Sequence, residues 1–282
     1  MSHVTAADGA KLYCEERGQG APVVFVHEFA GSCRSFDAQV EAFAARHRCV
    51  SFNARGYPPS DVPQSDRDYS QEHATRDIAA VLDALGIAAA HLVGVSMGAA
   101  SVLQFALANP ARVLSATLVG IGTGSDDPAQ FREGAEANAK AIESGGMAAF
   151  AETMGKAPNR YRLKSKNPAE FRRFIEQLSA MSPVGHANTM RGVQGRRPPL
   201  YAHEARIARL HVPALVVVGE EDAGCRKPSE FLERTLPGAR LEVVPATGHA
   251  VNLEEPALFN RLCGEFIDAA DRAARPRGAR QG

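Results

Sequence analysis

The stretch His91-Leu92-Val93-Gly94-Val95-Ser96-Met97-Gly98-Ala99-Ala100 sets a serine between an apolar, β-branched run and a run of small and apolar residues. Residues 91–95 read as a strand. Residues 97–108 read as a helix buried against a sheet, stopped by Asn109-Pro110. Glycines two before and two after Ser96 let strand and helix approach closely, so that a strained turn lifts the hydroxyl above the sheet. The helix start also offers N–H groups to a developing negative charge. A five-residue G-x-S-x-G match arises by chance, and a serine capping a helix at a phosphate site would look the same. The strand–turn–helix context favours a nucleophile.

Working outward, the same alternation recurs on both sides. Strands are expected at 22–27, 48–53, 114–119, 212–219 and 240–244, and helices at 35–46, 75–85, 229–235 and 256–270. Continuous apolar strands alternating with helices predict an α/β chain with a mostly parallel central sheet covered on both faces. Between about 122 and 203 no strand-like run survives, and amphipathic stretches at 131–142 and 168–181 replace it. The expected organisation is therefore a core of residues 1–124 and 206–282, with a helical cap of residues 125–205 inserted in it. The Arg-, Pro- and Gly-rich tail 272–282 is expected to fray.

Composition bounds the partners. Of the 282 residues 45% are apolar and 23% charged, enough for a sizeable core, and Lys+Arg and Asp+Glu balance at 32 each. That balance argues against a generic nucleic-acid binder. No run approaches the roughly 20 apolar residues that span a bilayer, so no membrane partner is expected. The start lacks a basic segment followed by an apolar one, and a cytoplasmic location is the expectation. Cys14, Cys33, Cys49, Cys225 and Cys263 are odd in number and scattered, forming neither a disulfide framework nor a metal knuckle. HxxxH and HExxH spacings are missing as well, so neither a metal nor a cofactor is expected.

A serine hydroxyl needs a base. His249 follows the last expected strand, in Val243-Val244-Pro245-Ala246-Thr247-Gly248-His249, where parallel sheets place their sites. The imidazole needs an orienting carboxylate, and Asp222 in Gly219-Glu220-Glu221-Asp222 follows the penultimate strand. Glu220, Glu221, Asp126 and Asp127 compete for that role. Ser, Asp, His is one of the chain orders in which this geometry recurs.

With these residues in place the chain resembles the α/β-hydrolase superfamily over nearly its whole length. It is most similar to capped enol-lactonases, small-molecule esterases and meta-cleavage carbon–carbon hydrolases. The landmarks are V-F-V-H27-E-F-A-G, F-N-A-R55-G56-Y, G94-V-S96-M-G98, G-E-E-D222 and G-H249-A-V-N-L-E-E-P. The resemblance implies an α/β-hydrolase fold, Ser96 as nucleophile, Asp222 as orienting acid, His249 as base, and the amides of Phe29 and Met97 as oxyanion hole. It implies cofactor-free hydrolysis of a small-molecule ester or lactone. The alternatives are carbon–carbon cleavage of a keto acid, or a ligand receptor on the same fold. Glu28 departs from the pattern, which usually has glycine there. It is a candidate substrate contact, with His27 and His186, and the competing expectation is that it turns away into hydrogen bonds or an ion pair. Arg191, Arg196 and Arg197 could attract an anion. Cys33 and Cys225 are expected to be inert buried thiols, and an apolar face of the cap could pair two copies as a homodimer.

Overall fold

The computed structural model describes residues 2–274. Eight strands form one sheet: β1 (Ser2–Thr5), β2 (Lys11–Arg17), β3 (Ala21–Val26), β4 (His47–Phe52), β5 (Ala90–Val95), β6 (Val113–Val119), β7 (Ala214–Gly219) and β8 (Arg240–Val244). Their order is β1-β2-β4-β3-β5-β6-β7-β8. The six strands from β4 to β8 in that order pair in parallel, whereas β1 with β2 and β2 with β4 are antiparallel. The sheet is thus mixed and mostly parallel.

Period-two alternation sends side chains of the central strands to opposite faces. Val24, Val26, Leu92, Leu118 and Val216 pack in one core with α2 (Gln71–Ala84), α3 (Met97–Ala108) and α9 (Ala223–Thr235). Val23, Phe25, Val93, Val119 and Val217 pack in the other, with α1 (Asp37–Phe43) and α11 (Pro256–Ala274). Burial on both faces is why these strands read as unbroken apolar runs. The edge strand β1 and its inner neighbour β2 were not expected, because only Val4, Leu12 and Cys14 among their residues are buried and no continuous apolar run marks them. Helix α2 begins at Gln71 rather than 75, since the Ser70 side chain accepts the His73 N–H and caps it there. Helix α9 likewise begins before its internal Pro228. Helix α11 runs past residue 270 to Ala274, and the rest of the tail lies outside the described residues.

Between β6 and β7 the chain makes a helical excursion that contains no strand. It comprises α4 (Pro128–Gly155), α5 (Tyr161–Lys166), α6 (Pro168–Ser179), α7 (Pro183–Thr189) and, near the return, α8 (Glu204–Ile207). Helix α4 is broken at Gly146 (φ 77°, ψ 175°), a backbone conformation that only glycine adopts readily. The one-turn α10 (Val251–Glu254) precedes α11. An apolar cluster holding Phe29, Met97, Phe150, Leu163, Phe174 and Leu253 forms the floor between cap and core. Among the described residues no helix is long and apolar enough to cross a membrane.

Two glycines test this packing in opposite directions. A Cβ on Gly98 would lie 2.0 Å from the carbonyl oxygen of Val26 in β3, while one on Gly134 would meet nothing within 4 Å. Gly98→Ala should therefore destabilise the protein by at least about 2 kcal/mol, in the range of overpacked sites. Gly134→Ala, in the exposed interior of α4, should stabilise it by roughly 0.5–1 kcal/mol. Urea unfolding of both variants checks the pair.

Candidate active site

The carboxyl ends of β3, β5, β7 and β8 deliver four loops to one edge of the sheet. Ser96 stands at the turn from β5 into α3 with φ +52° and ψ −110°, a conformation costly for a residue with a Cβ. Its N–H donates to Val119 O at 2.7 Å, fixing the turn to β6. Its side chain stays partly exposed while every neighbour from His91 to Ala99 is buried. Met97 is the first helical residue, so its amide has no partner within the helix. Among the described residues the N–H groups of Phe29 and Met97 find no acceptor.

His249 and Asp222 meet across the ends of β8 and β7. Nδ1 of His249 lies 2.6 Å from Asp222 Oδ2, and because an ionised carboxylate only accepts, Nδ1 is the donor and Nε2 is left free. Burial would raise the Asp222 pKa. The charge and hydrogen bond of His249, a hydrogen bond from Cys225 and the charge of Arg160 outweigh it and hold the carboxyl below its usual range. The competing acids are engaged elsewhere: Glu220 accepts the Ala246 N–H at 2.8 Å, Glu221 pairs with Arg162, Asp126 accepts from Tyr201, and Asp127 caps α4. Asp222, Cys225 and His249 hold potential metal-ligand atoms within 4.8 Å of one another. Burial pushes the Cys225 thiol well above its normal range, and its sulfur donates to Gly120 O at 3.1 Å while His249 Nδ1 is engaged by Asp222. That donor set fits a hydrogen-bonded pair better than a metal site. Cys33 is likewise buried, its thiol pushed up to about 12.

The residues around the pair brace it. Glu254, whose role the sequence reading missed, accepts the N–H of Gly248 at 2.7 Å and of Ala250 at 3.1 Å, gripping both neighbours of His249. Its place five residues beyond His249 was the available signal. The His249 N–H donates to Asn159 O of the cap at 3.2 Å. Tyr57 donates to Phe29 O at 2.8 Å, and Asn53 accepts the Cys33 N–H at 2.8 Å. Arg55 binds Asp77 through two nitrogens, at 2.8 and 2.7 Å, and also Asp8, bracing its loop.

The remaining candidates separate. His27 uses both ring nitrogens on backbone, donating from Nδ1 to Glu28 O (2.7 Å) and accepting the Ala54 N–H at Nε2 (3.0 Å), so it has no free polar atom for a substrate. His186 donates to Ser182 O and packs on Phe29 and Tyr57, with its buried Nε2 unpartnered. Glu28 is wholly buried and accepts from Ser35 Oγ at 3.2 Å through one oxygen, leaving the other without a partner. It forms no ion pair among the described residues. Arg191 pairs with Glu136 and Glu143 and Arg196 with Asp66, whereas Arg197 donates to the neutral acceptors Gln194 Oε1 and Thr123 O and lies over the Phe131 ring, with no carboxylate partner among the described residues. Arg160, in the turn before α5, was not singled out in the sequence. It is buried with Nε and Nη1 unpartnered. Nothing local in the sequence marks it, because its neighbours come from distant segments.

Residues 21–256 match the family model for the alpha/beta hydrolase fold. The chain belongs to this family. It is 31% identical over 256 residues to a 2-hydroxy-6-oxononadienedioate/2-hydroxy-6-oxononatrienedioate hydrolase of Burkholderia vietnamiensis, covering 83% of this chain and 81% of that one. Among solved structures it is similar to a thermophilic esterase from Thermogutta terrifontis, with TM-score 0.86, 25% identity and coverage of 95% and 98%. It is also similar to Est816, described as an N-acyl homoserine lactone degrading enzyme, with TM-score 0.77, 31% identity and coverage of 94% and 100%. Within the alpha/beta hydrolases the resemblance thus extends to an esterase, a lactone-degrading enzyme and a 2-hydroxy-6-oxononadienedioate/2-hydroxy-6-oxononatrienedioate hydrolase, and this chain is a hydrolase of that superfamily.

One charge-linked consequence can be measured on the folded protein. Burial pushes His186 from 6.5 down to about 3. Between those values the unfolded chain binds a proton that the native state refuses, so stability falls as pH falls. The stability advantage of wild type over His186→Phe should shrink by roughly 1.4 kcal/mol per pH unit below 6. Urea unfolding of both proteins at pH 6.5, 5.5 and 4.5 measures that slope, and parallel lines would contradict it.

Proposed function

We propose that the protein hydrolyses a small carboxylic ester or lactone through an acyl-enzyme on Ser96. The observation that carries this reading is the Ser96 backbone at φ +52°, held at the head of α3 on the same sheet edge as the 2.6 Å His249–Asp222 hydrogen bond. A strained turn is retained where it aims a side chain, and the unengaged amides of Phe29 and Met97 support the reading that this one aims an oxygen at a carbonyl.

Ser96 Oγ attacks the carbonyl carbon while His249 Nε2 takes its proton, and Asp222 holds the imidazole tautomer and stabilises the imidazolium. The oxygen that becomes negative accepts from the N–H groups of Phe29 and Met97, each such donor being worth about 2.7–4 kcal/mol. Collapse breaks the bond to the leaving oxygen, which takes the proton from Nε2. Water, giving its proton to the same nitrogen, then attacks the acyl carbon and frees the acid and Ser96. Carbon–carbon cleavage of a keto acid is the second reading, supported by the 31% identity to the Burkholderia hydrolase. It would use the same triad but would have to protonate a carbon leaving group.

A fluorophosphonate probe should label wild type on the peptide carrying Ser96, and Ser96→Ala should take up none. Asp222→Asn should cut turnover of 4-nitrophenyl esters by on the order of 10⁴, because the wrong tautomer is held. Glu221→Gln should lose far less. Label on Cys33 or Cys225, or near-normal turnover in Asp222→Asn, would sink the assignment.

A further inference from the structure

Two charged side chains, one next to Phe29 and one next to the residue that holds the His249 backbone, are sealed from water with hydrogen-bonding capacity unspent. Glu28 is 1% exposed and Arg160 is 3% exposed. Oε2 of Glu28, and Nε and Nη1 of Arg160, have no partner. Glu28 is fixed through Ser35 and packed so closely on Gly31 that a Cβ there would lie 2.4 Å from its carboxyl carbon. Arg160 is fixed by the Phe174 ring, 4.8 Å below its guanidinium. The two form no direct ion pair among the described residues, although Glu28 is the strongest charged influence on Arg160. Leaving such groups buried and unpaired costs several kcal/mol, so the arrangement is organised for a third group.

Charge decides what that group is. The other carboxylates that act on Arg160 are already satisfied, Asp222 by His249 and Glu254 by two backbone amides. An anion accepting from Arg160 would face Glu28 with no proton to give its free oxygen. A cation would have the converse difficulty with Arg160. A neutral group with an acceptor at one end and a donor at the other satisfies both. Glu28 adjoins Phe29, and Asn159, beside Arg160, holds the His249 backbone. Both residues thus adjoin segments that build the proposed active site.

We infer that Arg160 and Glu28 together bind a neutral acceptor–donor group of the substrate, such as a secondary amide, its oxygen accepting from Arg160 and its N–H donating to Glu28. The inference rests on the hydrolase reading for the position of the ester but not for the binding itself. The test separates the two. Ser96→Ala protein is titrated with four methyl esters of matched length: N-acetylglycine (acceptor and donor), 4-oxopentanoate (acceptor only), pentanoate (neither) and monosuccinate (anion). Affinity should fall in that order, with the amide at least tenfold tighter than pentanoate. Adding Arg160→Met should erase the gap between 4-oxopentanoate and pentanoate. Adding Glu28→Met should erase the gap between N-acetylglycine and 4-oxopentanoate. Should either variant fail to fold, the ladder in the Ser96→Ala protein still decides. Monosuccinate binding best, or pentanoate matching the amide, would overturn the inference. Turnover of the corresponding 4-nitrophenyl esters by wild type, corrected for their spontaneous rates, is read separately. Its complete absence would reject the hydrolase reading while leaving the binding order to judge this one.

Discussion

The contact on which the site depends is the approach of α3 to the sheet at Gly98, where no side-chain carbon fits above the β3 carbonyls. A Cβ at Gly94 would likewise meet Gly98 O at 2.5 Å, so strand and helix touch through backbone alone. That closeness leaves too little chain for a relaxed turn, and Ser96 absorbs the difference with its positive φ. The strain persists because the sheet on both sides over-determines it. The N-terminus of α3 is set against the loop after β3 by the same contact.

A similar economy governs the imidazole. A Cβ on Gly219 would collide with Gly248 O at 2.0 Å, so the β7 and β8 loops are also in backbone contact. Glu254 then fixes the amides on either side of His249, and the cap carbonyl of Asn159 takes the amide of His249 itself. The position of the ring is therefore shared between core and cap. Removing the cap would release one of the restraints on the proposed base.

How much of this was legible in the sequence follows from the distance over which each feature is encoded. The central strands and the Ser96 turn are written in contiguous residues, because a doubly covered strand must be apolar and a tight elbow must have glycines. Asp222 and His249 could be placed at strand ends once the alternation was read. The strands β1 and β2 escaped because strands that bury only alternate residues need no continuous apolar run. Glu28 stood out as a departure, but its burial against Gly31 and Ser35 is a property of how the loop folds back. Arg160 was invisible, since a lone arginine in a cap segment reads as surface until Phe174 and the core carboxylates are assembled around it.

The attachment of the cap has two physically different parts. Its rim is held by partly exposed ion pairs, Arg162 with Glu221, Lys166 with Glu255 and Arg173 with Asp37. Its floor is the apolar cluster around Phe29, Phe150, Leu163 and Phe174. Screening acts on the first, whereas solutes excluded from protein surface strengthen the second. Sodium chloride should consequently loosen the rim while sulfate tightens the floor. The rate at which the cap lets a substrate pass would then depend on which salt is present as well as on how much.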